Sequence, residues 1–180
     1  MANRQALRDL QTRLAERLQA ARTNNSQGAS WLAVQAGGRN YLLPLEQAGE
    51  IFPWPGVSQV PYTTDWFWGV ANLRGNLAGV VDLAAYLGHP VERSEQSLHS
   101  VSLLVINPAL QVNVALVVDQ LLGLRKVEDF VDASPQSMQV VSQPVKRQVH
   151  ANYVDSEGKA WEVLSLHGLA QSPDFLRIRL

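Results

Sequence analysis

No cysteine occurs in the 180 residues. That excludes disulfides, thiolate metal sites and cysteine nucleophiles together. Charge of one sign is also missing. Acidic and basic residues number 16 and 15, for a net charge of −1, and the bases are scattered, so a nucleic-acid partner is not expected. No apolar run approaches the roughly 20 residues of a membrane-spanning helix. The opening "MANRQALRDL" has no apolar core of signal-peptide length. These features lead us to expect a soluble, cytoplasmic protein with no direct membrane insertion. A chain of this length can bury roughly 70% of its unfolded surface, so it needs no metal to fold.

What is present divides into two patterns. Leu7, Leu10, Leu14, Leu18 and Ala21 recur at helical spacing, which predicts an amphipathic N-terminal α-helix. The polar, glycine-containing Thr23–Ser30 then reads as its stop and a linker. The helix packs either on its own domain or on a partner. From Trp31 onward the period becomes that of strands. "WLAVQA" and "YLLPLE" flank a glycine turn, "GVANLR" and "NLAGVVDL" pair across Arg74-Gly75-Asn76, and "VHANYVD" and "AWEVLSL" pair across "SEGK". "SVSLLVIN" and "VNVALVVDQL" form a further hairpin around Pro108. "DLAAYLG" and "LHGLAQSPDFL" read as short helices. The polar "HPVERSEQSLHS" is expected to divide two halves, each ending a hairpin in Val-Val-Asp. Nine or ten short strands with glycine turns favour a barrel or sandwich. We expect residues 1–29 to form helix and linker, and 30–180 one domain of two lobes.

No convergent acid, base and nucleophile stands out. His89, His99, His150 and His167 lack metal-ligand spacing, and the serines lack a G-x-S-x-G context. Asp82 and Asp119 each follow a valine pair and read as caps or turn carboxylates. The expectation is a protein with no catalytic residues, no metal and no cofactor. A small-ligand-binding β-barrel enzyme or sensor and a helix-driven assembly protein are the alternatives.

One stretch, "WGVANLRGNLAGVVDLAAYLG", resembles CheW-type coupling proteins of chemotaxis. The resemblance lies in Gly69, Val70, Asn72, Leu73, Arg74 and Gly75, then Val81, Asp82 and Leu83. "YLLPLEQAGEIFPWPGVSQVP", with Glu50-Ile51, and "VNVALVVDQLLGLRKV" extend it over about Ser30 to Ala170. The resemblance implies a mainly β fold of two small five-stranded SH3-like barrels related by a pseudo-twofold. It implies an adaptor linking a methyl-accepting chemoreceptor's cytoplasmic tip to the regulatory domain of a CheA-type histidine kinase in receptor arrays. The receptor-facing residues would be Glu50, Trp68, Asn72, Leu73 and Arg74. The added helix over residues 3–22 is similar to the PilI type of twitching-motility, type IV pilus systems, and Trp68 departs from the usual residue there.

Because the linker separates the helix from the strands, the helix should be dispensable for folding. Removing residues 1–28 is expected to leave a cooperative unfolding transition by circular dichroism. An insoluble or molten product would show that the leucine stripe completes the core.

Overall fold

The computed structural model describes residues 30–132 and 149–179. The expected N-terminal helix, its linker and most of the proline-containing "VDASPQSMQVVSQPVKRQ" lie outside the described residues. Among the described residues, eleven strands form two sheets. The first sheet has the order β8-β1-β2-β11-β10-β9, comprising β1 (Ser30–Ala36), β2 (Arg39–Pro44), β8 (Gln120–Lys126), β9 (Phe130–Asp132), β10 (Val149–Asp155) and β11 (Ala160–Leu164). The second is β3-β6-β7-β5-β4, built from β3 (Ala48–Pro53), β4 (Phe67–Leu73), β5 (Asn76–Asp82), β6 (Ser102–Ile106) and β7 (Val114–Val118). Four short helices accompany them: α1 (Leu83–Tyr86), α2 (Glu95–Leu98), α3 (Leu166–Gln171) and α4 (Pro173–Leu176). The expected division into five and five strands is thus six and five.

The hairpins form where glycine turns predicted them: β1 with β2, β4 with β5, and β10 with β11 are all antiparallel. The "HPVERSEQSLHS" segment, however, does not divide the lobes. It connects β5 to β6, two strands of the same sheet, and β5 pairs in parallel with β7. The chain changes sheets elsewhere. A single 3₁₀ turn, Leu45–Gln47, takes it from β2 to β3, and Asp119 alone separates β7 from β8. "VNVALVVDQLLGLRKV" is therefore two strands, one in each sheet.

Burial follows from this path. On β1, Leu32 and Val34 face the central core while Trp31 and Ala33 face a smaller core with Leu42 and Trp161. On β7, Leu116 and Val118 face the central core while Ala115 and Val117 face another with Leu73 and Leu103. Each sheet thus covers one small core of its own and shares the large one between them. Strands buried on both faces must be apolar at every position, which explains the continuous valine and leucine runs.

The crossing at Asp119 is held by a buried cation. Arg93 donates from Nε to Asp119 Oδ1 at 2.8 Å and from Nη1 to Asp82 Oδ2 at 2.6 Å. The Arg93 and Asp82 side chains are each 4% exposed. Asp119 Oδ2 also accepts from Gly37 N in the β1–β2 turn, and Asp82 Oδ1 accepts from Ala84 N and Ala85 N as the N-cap of α1. The two Val-Val-Asp endings therefore converge on one guanidinium. Burial works against the Arg93 charge, but the hydrogen bonds of Asp119 and Asp82 outweigh it and raise the pKa above its ordinary value.

Removing one member of a buried charge pair leaves the other uncompensated, at a cost of about 3–5 kcal/mol. Arg93→Ala is expected to lose about that much in urea unfolding. Exposed Arg39→Ala, whose partner is Glu162, should lose less than about 1 kcal/mol.

Candidate functional site

The site begins with backbone geometry. Leu73 pairs with Asn76, so the β4–β5 loop is two residues, Arg74-Gly75. Their φ values are +52° and +89°, the signs a type I′ hairpin requires at both positions. Gly75 takes this conformation freely, whereas Arg74 does so at a cost of roughly 1–2 kcal/mol. Asn72 Oδ1 accepts from Gly75 N at 2.7 Å and braces the turn.

The preceding glycine of the motif has a different reason. Gly69 has φ +130°, and a Cβ there would lie 2.1 Å from the Ser58 carbonyl oxygen. The approach is close because Ser58 and Val70 exchange two backbone hydrogen bonds, of 2.8 and 2.9 Å. The chain after β3 thus covers part of the outer edge of β4, which would otherwise present unpaired backbone groups.

The two edges of the five-stranded sheet also meet. Arg74 Nη1 donates to Glu50 Oε2 on β3 at 2.9 Å, and its guanidinium carbon lies 5.2 Å from the Phe52 ring centre. Trp54 and Trp68 stack edge to face at 5.6 Å. These contacts run from β3 and its extension to β4, the opposite edges of the sheet, so the sheet rolls until its edges touch. At 76% and 56% exposure, Arg74 and Glu50 remain open to solvent.

The structure therefore brings Glu50, Asn72 and Arg74 together on one exposed face. Leu73 differs from the motif reading. It is 5% exposed and packs with Val80, Leu103 and Val117, because strand alternation turns it opposite to Asn72. It seats the turn and offers no contact surface. Trp68 is half-buried, while Phe67 is buried in the central core. The Trp68 ring is not free either: the Arg93 guanidinium carbon lies 5.3 Å from its centre. Arg93 itself was not singled out by sequence, since one base in a polar loop has no periodic signal. Among the described residues, no group of three His, Cys, Asp or Glu could hold a metal ion, and no helix is long and apolar enough to cross a membrane.

This hairpin, with Gly69 tight against Ser58 and the turn Asn72-Leu73-Arg74-Gly75 above it, falls within a match of residues 30–174 to the CheW-like domain model. The chain belongs to the CheW-like family. It is 30% identical over 157 residues to protein PilI of Pseudomonas aeruginosa, covering 84% of this chain and 81% of that protein. The CheW-like fold is shared with the scaffolding protein TtCheW of Thermoanaerobacter tengcongensis. The TM-score is 0.59 at 16% identity, over 82% of this chain and 95% of that one.

Exposed ion pairs contribute little to folding, about 0–1 kcal/mol. Arg74→Ala and Glu50→Ala are each expected to shift thermal unfolding by no more than that. Arg74→Gly, which relieves the left-handed strain, should be at least as stable as the native chain. Leu73→Ala should lose about 2–5 kcal/mol.

Proposed function

We propose that this chain is a non-catalytic signalling adaptor that couples a methyl-accepting chemoreceptor's cytoplasmic tip to the regulatory domain of a CheA-type histidine kinase. The observation that carries the reading is Arg74. An arginine stands at a left-handed turn position where glycine or asparagine would be unstrained, on a hairpin braced by Asn72 and Glu50. Strain kept at a side chain that is 76% exposed and touches only the surface pair Glu50 and Phe52 points to recognition. The planar guanidinium offers five donors, of which Glu50 takes one, and it suits a carboxylate or backbone carbonyls on a receptor helix. Glu50 orients the guanidinium, Asn72 fixes the turn, and Trp68 supplies apolar area further along the strand.

Membership of the CheW-like family supports a coupling role over catalysis, as does the fold shared with TtCheW, a scaffolding protein. Similarity to PilI favours type IV pilus and twitching signalling. On this reading the protein works in the cytoplasm, associated with membrane receptor arrays. Each lobe closes as a small barrel, the two related by a pseudo-twofold.

Calorimetric titration with a receptor-tip fragment and, separately, with the kinase regulatory domain tests the proposal. A desolvated interfacial arginine carries 2 kcal/mol or more, roughly thirtyfold in affinity. Arg74→Glu should therefore weaken receptor binding by at least about thirtyfold while kinase binding persists. Unchanged receptor affinity in folded Arg74→Glu would return the residue to the role of a solvated turn charge.

A further inference from the structure

Two sheets have four edges, and three of them are protected. β3 and β4 meet across the rolled second sheet, and Ser58 pairs with Val70 on the outer side of β4. β9 has only three residues. The fourth edge, β8, is seven residues long, and among the described residues it pairs with β1 alone. From Leu121 to Arg125 every residue of it is half-exposed. Leu121 and Leu124 pack on the central core and Leu122 on the core around Trp31, so both cores come to the surface along this strand. Val127, 45% exposed, extends the strip past the strand's end. A long apolar edge is a template for unwanted pairing, and natural proteins guard it with charge, proline or a covering helix. From Leu121 to Leu124 there is neither charge nor proline.

We infer that residues 3–22 of this same chain lie along β8 as a helix, with the stripe of Leu7, Leu10, Leu14, Leu18 and Ala21 against Leu121, Leu122 and Leu124.

The tether selects this occupant. Ser30 stands opposite Lys126 in the β1–β8 ladder, so the segment joins the domain beside the C-terminal end of β8. Residues 23–29 connect the two and reach about 25 Å when extended, enough to turn the helix back along the strand. A tether this short holds the segment at an effective concentration of about millimolar, which any separate partner must outcompete. The lengths agree as well. Leu7 to Ala21 rises about 21 Å in a helix, and β8 runs about 20 Å.

Charge points the same way. Residues 1–29 carry five arginines against Asp9 and Glu16, a net +3, and the rest of the chain carries −4. The direction set by the tether brings Arg17 and Arg22 to the end of β8, where the exposed Glu128 and Asp129 follow it. Basic residues in the last turns also suit the negative end of the helix dipole. A helix of this length is marginal alone in water, so the leucine stripe needs a surface, and β8 offers one at its point of attachment. Because β1 already pairs with β8, the helix covers the domain without completing its sheet. The edge belongs to the first sheet and Arg74 to the second, so this docking stands apart from receptor recognition.

The natural chain has no cysteine, which permits a single nitroxide label. The test places it on Gln120→Cys in the ¹⁵N-labelled full chain, at the exposed end of β8 farthest from the tether. Amide signals around Leu7 should lose most of their intensity and those around Leu18 less. Adding Leu10→Glu and Leu14→Glu should restore them, and in the chain without the label the same pair should speed hydrogen exchange of the β8 amides. Arg74→Ala should leave the pattern unchanged. No broadening, a gradient strongest at Leu18, or broadening that survives Leu10→Glu with Leu14→Glu would overturn the inference. So would broadening of unlabelled-cysteine ¹⁵N chains mixed with ¹⁴N nitroxide chains, because the helix on β8 would then belong to a second copy.

Discussion

Arg93 between Asp82 and Asp119 is the interaction on which the arrangement of the lobes depends. The net stability of a buried ion pair is small, because desolvating its charges offsets most of their attraction. Its importance is geometric. Asp119 is the single residue between a strand of one sheet and a strand of the other, and it also holds the β1–β2 turn through Gly37. Asp82 ends β5 and caps α1. One guanidinium therefore fixes the crossing point, a hairpin of the first sheet, the end of a strand of the second and the start of a helix. Apolar packing could supply the stability, but it is non-directional and would not by itself set these positions. The acceptors of Asp82 and Asp119 do, because each is already engaged with backbone N–H groups.

The same cation reaches the hairpin that carries Arg74. Its guanidinium lies against Trp68, and Trp68 packs on Trp54. The base of β4 is thus anchored to the junction between sheets, while its tip is tied to β3 by Glu50 and Phe52. A two-stranded hairpin alone is marginally stable. This one is continued by pairing with β7 and is closed by contacts across the sheet's edges. Arg74 is displayed on a rigid support for that reason, and rigidity reduces the ordering cost of binding.

Much of this was legible where the signal is local. Glycine turns gave the three short hairpins. Glu50 and Arg74 both belong to the receptor-facing set that the resemblance implies, and the geometry brings the two together. The sheet crossing was not legible. "VALVVDQLL" reads as one strand because both of its halves are apolar, and hydrophobicity alone does not say in which sheet each lies. The parallel pairings of β5 with β7 and β2 with β11 join residues distant in sequence, so no turn residue announces them. Leu73 was misplaced because the motif was read as a block; alternation between Ala71, Leu73 and Asn72 would have put it inside. Arg93 could not be read at all, since its role arises only when two distant carboxylates converge on it.

A coupling protein without chemistry can influence its partners only through differential binding and geometry. On the proposed reading, that demands two faces held at a fixed relation. The fold supplies candidates for both at exposed, left-handed, non-glycine residues: Arg74 at one end of β4 and Tyr62 on the loop that lines its other end. Each retains strain of roughly 1–3 kcal/mol that glycine would relieve, while its side chain contributes little to the interior. Folding alone does not explain such positions. Between them runs a single strand whose glycine, Gly69, permits the backbone contact with Ser58 that links the Tyr62 loop to the sheet. The connection is short: β4 pairs with β5 on either side of one bulge between Phe67 and Gly69, and Ser58 is tied to Val70 by two backbone hydrogen bonds.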